Sequence, residues 1–153
     1  MTEAVATPVL ELDRALAAPP DRVFRAWTDP DELARWFCPN PDLPTTAEVD
    51  LRVGGAYRIR MGTFEVAGAY RKIDPPRTLA FTWGWATDAE PARMLVTVTL
   101  APLDGGGTRL RLRHERFADA EERASHAWGW TRSLERLVGA MAPRPEGGGD
   151  GSA

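Results

Sequence analysis

The chain has 153 residues, 43% of them hydrophobic and 27% charged, with a formal net charge of −3. That is enough for one globular domain with a real core, burying about 68–70% of its unfolded surface. It excludes a membrane-spanning helix, because no apolar run reaches ~18 residues, and the slight acidity gives no basis for partners such as nucleic acid or anionic lipid. The start, Met1-Thr2-Glu3-Ala4, is neither basic nor followed by an apolar stretch, so no secretory pattern is visible. Cys38 is the single cysteine, which leaves no intrachain disulfide and no multi-cysteine metal site. Together these features predict a cytoplasmic protein. Six tryptophans, at 27, 36, 83, 85, 128 and 130, stand out in so short a chain. They supply either core or the wall of an apolar pocket.

Residues 1–8 carry no periodic signal and read as loose. Alternation from Val9 to Leu16 predicts a first strand. Pro19-Pro20-Asp21 ends it and opens a short helix with Val23, Phe24 and Trp27 on one face. Asp29-Pro30-Asp31-Glu32 starts a second helix: Asp29 caps, Pro30 takes the first helical position, and Glu32 closes a capping box. Leu33, Trp36 and Phe37 form its apolar face, and Cys38-Pro39-Asn40-Pro41 stops it.

From Thr45 to Phe117 the period is two. Strands are predicted around Ala47–Val53, Tyr57–Met61, Phe64–Ile73, Leu79–Trp85, Met94–Leu100 and Leu110–His114. Gly54-Gly55 reads as a two-residue hairpin turn, and Asp74-Pro75-Pro76 and Asp104-Gly105-Gly106-Gly107 read as further turns. Short turns make neighbouring strands antiparallel. Glycines at 62, 68 and 84 interrupt the alternation, as bulges or bends do, and a sheet so bent curls. Residues 119–142 return to helical spacing, with Ala127, Trp130, Leu134, Leu137 and Met141 in one stripe. At ~1.5 Å per residue that helix is on the order of 30 Å long, enough to cross the sheet. Residues 143–153 have no apolar content and read as a disordered tail. The class is α+β: a curved antiparallel sheet of six to seven strands wrapped around a long C-terminal helix, with two short helices between strands 1 and 2.

This order of elements resembles the START-like (SRPBCC) helix-grip superfamily, and within it the branch named after the Hsp90 ATPase activator. The resemblance rests on Val23-Phe24-Arg25-Ala26-Trp27-Thr28-Asp29-Pro30 followed by Leu33-Ala34-Arg35-Trp36-Phe37. It continues in Val49-Asp50-Leu51-Arg52 with Gly54-Gly55-Ala56-Tyr57, and in Pro75-Pro76-Arg77-Thr78-Leu79 with Phe81-Thr82-Trp83. Gly107-Thr108-Arg109-Leu110 and His126-Ala127-Trp128-Gly129-Trp130 with Leu134 complete it, so that residues 8–142 form one such domain. The resemblance implies the fold firmly. It implies function only broadly, since members of the superfamily bind lipids, sterols, polyketides or plant hormones under the long helix. Some are aromatase/cyclases, and a few confer self-resistance to reactive natural products. A co-chaperone role is disfavoured, because the eukaryotic activator has an additional N-terminal domain for which this chain leaves no room.

His114 lies in phase with Leu110 and Leu112, on the apolar face. It is either a satisfied histidine at the rim of the core or a polar anchor, or acid/base, inside the cavity. His126 stands four residues before Trp130 and shares its helix face. These two are the available acid/base groups for a cyclase or aromatase, and they make too poor a set for a metal. Gly129 costs about 1 kcal/mol against alanine in mid-helix; close packing on a strand is the expected compensation, room for a ligand the second. Arg109, Arg111 and Arg113 form an outer row for which Glu48 and Asp50 offer partners. Cys38 has no identifiable base and reads as a core thiol. Gly105-Gly106-Gly107 lacks the strand-to-helix setting of a phosphate loop.

The expected function is binding or sequestration of a hydrophobic or aromatic small molecule in an internal cavity, by a monomer or weak homodimer needing no cofactor. Tyr57, Met61, Phe64, Phe81, Trp83, Trp85 and Met94 are expected to line the cavity from the sheet. Trp36, Phe37, His114, His126 and Trp130 are expected to close it.

Overall fold

A computed structural model describes residues 8–87 and 92–143. The segments expected to be loose (residues 1–8) and disordered (residues 143–153) lie outside the described residues, apart from Pro8 and Pro143. The elements run in the order β1 (Leu10–Leu16), α1 (Pro20–Thr28), α2 (Pro30–Trp36), β2 (Thr45–Val49), β3 (Ala56–Met61), β4 (Phe64–Asp74), β5 (Thr78–Trp85), β6 (Met94–Pro102), β7 (Thr108–Glu115) and α3 (Ala120–Met141).

All seven strands join one curved antiparallel sheet in the order β1-β7-β6-β5-β4-β3-β2. β2 to β7 form a meander. β1 instead returns to lie beside β7, pairing Leu10 with His114 and Leu16 with Thr108. The first two strands therefore occupy opposite edges, and α1 and α2 must cross the width of the sheet to connect them. α3 packs on β1 and on α2, completing the helix-grip arrangement. The period of two holds through burial: in β7, Leu110, Leu112 and His114 are buried while the arginines between them are exposed. No helix of the described residues is long and apolar enough to cross a membrane.

Asp29 caps α2 as expected, its carboxylate accepting from the backbone N–H of Asp31 and Glu32 at 2.8 and 3.2 Å. The capping box does not close, because the Glu32 carboxylate turns to Arg22 at 3.3 Å. The outer arginine row is present but takes other partners than Glu48 and Asp50. Arg113 reaches Glu11 at 2.8 Å and Arg111 reaches Asp13 at 3.2 Å, both across the β1–β7 pairing. Glu48 and Asp50 lie at the far edge and face Arg58 and Arg52.

The connection at Gly54-Gly55 is not a two-residue turn. β2 stops at Val49, and residues 50–55 form a longer loop that leaves Leu51 and Val53 exposed. This loop docks on β4: the Gly54 N–H donates to the Tyr70 carbonyl at 2.8 Å, and the Tyr70 N–H donates to the Gly55 carbonyl at 2.9 Å. The two-residue hairpin lies instead at Gly62-Thr63, where Met61 pairs with Phe64 and Gly62 takes φ +62°. Gly68 marks a close approach, since a Cβ there would collide with the Thr82 carbonyl oxygen. Gly84 pairs regularly with Ala67, and the bulge of β4 falls between Tyr70 and Lys72.

Candidate functional site

A cavity of about 600 Å³ opens between the β3–β4 hairpin, the end of β5, the loop after α2 and the N-terminal half of α3. Its interior wall is aromatic: Phe37 from α2's C-cap, Trp83 and Trp85 from β5, and Trp130 from α3. Phe64 and Trp128 also line it, and they are 60% and 58% exposed, so they stand at its mouth. The Arg132 guanidinium lies 4.7 Å from the Trp128 ring centroid, a cation–π contact that steadies this exposed indole.

The loop after α2 is tied to α3. Ser133 Oγ donates to the Phe37 carbonyl at 2.8 Å. Arg136 donates to the carbonyls of Cys38 and Arg35, each at 2.6 Å. Carbonyls at a helix C-terminus lack intrahelical donors and carry partial negative charge, so a guanidinium suits them. These bonds fix the side of the cavity formed by Phe37, Cys38 and Asn40.

Three indoles terminate on two imidazoles. Trp83 and Trp85 Nε1–H donate to His126 Nε2 at 3.2 and 3.1 Å. Indole nitrogen only donates, so Nε2 is an acceptor and the His126 proton sits on Nδ1, which donates to the Glu122 carbonyl at 2.9 Å. Trp130 Nε1–H donates to His114 Nδ1 at 2.9 Å. The His114 proton therefore sits on Nε2, buried with no hydrogen-bond partner among the described residues. His114 stacks on Phe117 at 4.5 Å and meets His126 edge-on at 4.9 Å. Burial, helped by the neighbouring His126, pushes the His114 pKa down from 6.5 to about 2. Burial also pushes the Tyr57 phenol up; its hydroxyl donates to the Thr82 carbonyl at 2.5 Å. For Glu122 burial opposes ionisation, but the Ala118 N–H and Arg93 outweigh it and hold its carboxyl below the usual range.

Seven of the residues expected at the cavity border it: Phe37, Met61, Phe64, Trp83, Trp85, His126 and Trp130. Trp36, Tyr57, Phe81, Met94 and His114 are packed in the core and do not. Trp36 turns between α1 and α2, its indole donating to the Ala26 carbonyl at 2.9 Å. Tyr57 and Phe81 border a separate void of only about 10 Å³. The two histidines do come together, but His114 is 0% exposed and sits behind the lining residues Trp83, His126 and Trp130. Besides Trp128, three small residues of α3 absent from the expected set also line the cavity: Ser125, Gly129 and Ser133. They recur every four residues beside the apolar stripe, and that spacing of small residues was the available signal. Close packing does not explain Gly129, because a Cβ there would meet nothing within 4 Å. Among the described residues, no three side chains of metal-ligating type converge. Chemically the site is an apolar, aromatic container whose two histidine rings are occupied in orienting its tryptophans.

The chain resembles several solved structures. A Chromobacterium violaceum protein, CV1439, is 33% identical, with 90% of this chain and 99% of that one covered and a TM-score of 0.78. A Silicibacter pomeroyi protein named AHSA1 is 29% identical, covering 88% and 97%, with a TM-score of 0.73. CalU16 from Micromonospora echinospora is 25% identical, covering 88% and 76%, with a TM-score of 0.68. No curated protein matches. The family described as Activator of Hsp90 ATPase homolog 1-like protein matches residues 17–142, and with the helix-grip fold around that span the chain belongs to this family.

Proposed function

We propose that this protein binds or sequesters a hydrophobic or aromatic small molecule, such as a lipid or polyketide, in the cavity under α3. The observation that carries this reading is the volume of about 600 Å³ bounded by Phe37, Trp83, Trp85 and Trp130. Ligand pockets typically measure ~300–1,000 Å³ and are lined by apolar and aromatic groups with a few polar ones. Burying ~300 Å² of apolar ligand surface contributes roughly 7 kcal/mol at 25 cal/mol per Å². Association entropy offsets a large share of that, so affinities near micromolar are expected.

Four indoles border the cavity, which makes tryptophan emission the direct readout. Titration with uncharged aromatic compounds, fatty acids and polyketides should give saturable quenching for at least one class. Trp85→Ala should weaken that binding about tenfold by removing one wall. A panel that never saturates, checked by calorimetry, would overturn the reading. Turnover of a bound polyketide that is abolished by His126→Ala would move the assignment to a cyclase.

A further inference from the structure

We propose, building on the small-molecule reading above, that Gly129 is the specificity-determining residue of the cavity. It keeps open the part of the α3 wall where a ring of a bulky, uncharged aromatic ligand seats. Gly129 lies in the interior of a 22-residue helix, where glycine is the poorest helix former after proline. Two ordinary reasons for a glycine are absent. It does not adopt a positive φ, and beyond its two chain neighbours and the helix's own backbone no atom lies within 4 Å of where its Cβ would be. What the missing side chain leaves is cavity, because Gly129 lines it between Trp128 and Trp130. A flat ring placed there gains the two indoles and the bare helix backbone as contacts.

The charge of that ligand follows from the polar groups nearby. Ser133 Oγ already donates to the Phe37 carbonyl. His126 Nε2 already accepts from Trp83 and Trp85. Glu65, the carboxylate of the lining among the described residues, is held by Arg58 and Arg60 at 3.2 and 3.1 Å. Among the described residues the lining holds no lysine or arginine, and Arg132 stands over the exposed Trp128 at the mouth; an ionised group buried deeper at this wall would lose its water, whereas an uncharged ring loses little.

Gly139 is the internal control. It lies in the same helix, also has nothing within 4 Å of its Cβ position, and does not line the cavity. The experiment uses the full chain and two probes sharing one skeleton, N-phenyl-1-naphthylamine and its sulfonated analogue 8-anilinonaphthalene-1-sulfonate. Gly129→Ala and Gly139→Ala should both raise Tm by roughly 3 °C, through helix propensity alone. Only Gly129→Ala should also weaken the uncharged probe, by a few-fold. Gly129→Leu should weaken it at least about tenfold, while Gly139→Leu stays within twofold. The sulfonated probe should bind wild type about tenfold more weakly than the uncharged one.

A wild-type protein that ignores the uncharged probe sinks the small-molecule reading itself. Wild-type binding that Gly129→Leu leaves within twofold sinks the role of Gly129 alone. Should Gly129→Leu fail to fold by circular dichroism, Gly129→Ala decides, and unchanged affinity there overturns the proposal. Equal affinity for the two probes overturns the assignment of an uncharged ligand.

Discussion

Burying an imidazole as completely as His114 ties the stability of the fold to pH. Its folded pKa lies near 2, against 6.5 in the unfolded chain. Above pH 6.5 neither state holds the extra proton, so proton uptake at this ring takes nothing from stability. As pH falls below 6.5 the unfolded chain takes up a proton that the folded protein refuses, so stability is lost at up to about 1.4 kcal/mol per pH unit. Between pH 7.5 and 5 the loss from this residue is about 2 kcal/mol. Urea unfolding across that range should show it, and His114→Asn should flatten it while still offering Trp130 an acceptor. Equal slopes in the two proteins would contradict the buried neutral ring. The same residue shows a limit of reading from sequence. Its phase with Leu110 and Leu112 places it on the inner face, but whether it meets solvent, ligand or protein depends on α3, packed above it.

Among elements, the junction of α2 and α3 decides the shape of the cavity. α2 has only seven residues and is too short to hold its position by itself. Arg136 and Ser133 supply what it lacks, three hydrogen bonds from α3 to carbonyls at and just beyond its C-terminus. Arg136→Met keeps much of the side-chain length and removes the donors, and should cost about 2 kcal/mol, the range for a charge-assisted bond. Hydrogen exchange at residues 37–40 should then accelerate relative to that in β5. Uniform exchange in the variant would mean that the loop is held by packing alone. These bonds span about a hundred residues of sequence, and no local pattern announces them. The caps and turns were legible to differing degrees for the same reason. Asp29 acts on its own neighbours and reads correctly, whereas Gly54-Gly55 is shaped by Tyr70 on a later strand and does not.

For the whole molecule, the sheet, α3 and the loop after α2 enclose the site jointly, so occupancy should stabilise the entire fold. A ligand present at one hundred times its Kd stabilises by about 2.7 kcal/mol if the unfolded chain does not bind it. Differential scanning calorimetry should record a rise in Tm that grows with the logarithm of ligand concentration. A ligand that quenches fluorescence without moving Tm would be binding elsewhere, or equally well to the unfolded chain.

Periodicity in the sequence determined every strand and helix to within a few residues. The order of elements determined the helix-grip arrangement, because hydrophobic spacing and capping are local properties that survive without tertiary context. Only the tertiary structure decided which aromatic residues face space and which face one another. Trp36, Tyr57, Phe81 and Met94 carry the same inward phase as Phe37, Met61 and Trp83, yet they pack beneath α1 and α2 or against neighbouring strands. The physical reason is that inward phase fixes only the side of the sheet. Where a side chain finds protein or an opening depends on how far the overlying helices stand from it, and that distance is set by contacts between residues remote in the chain.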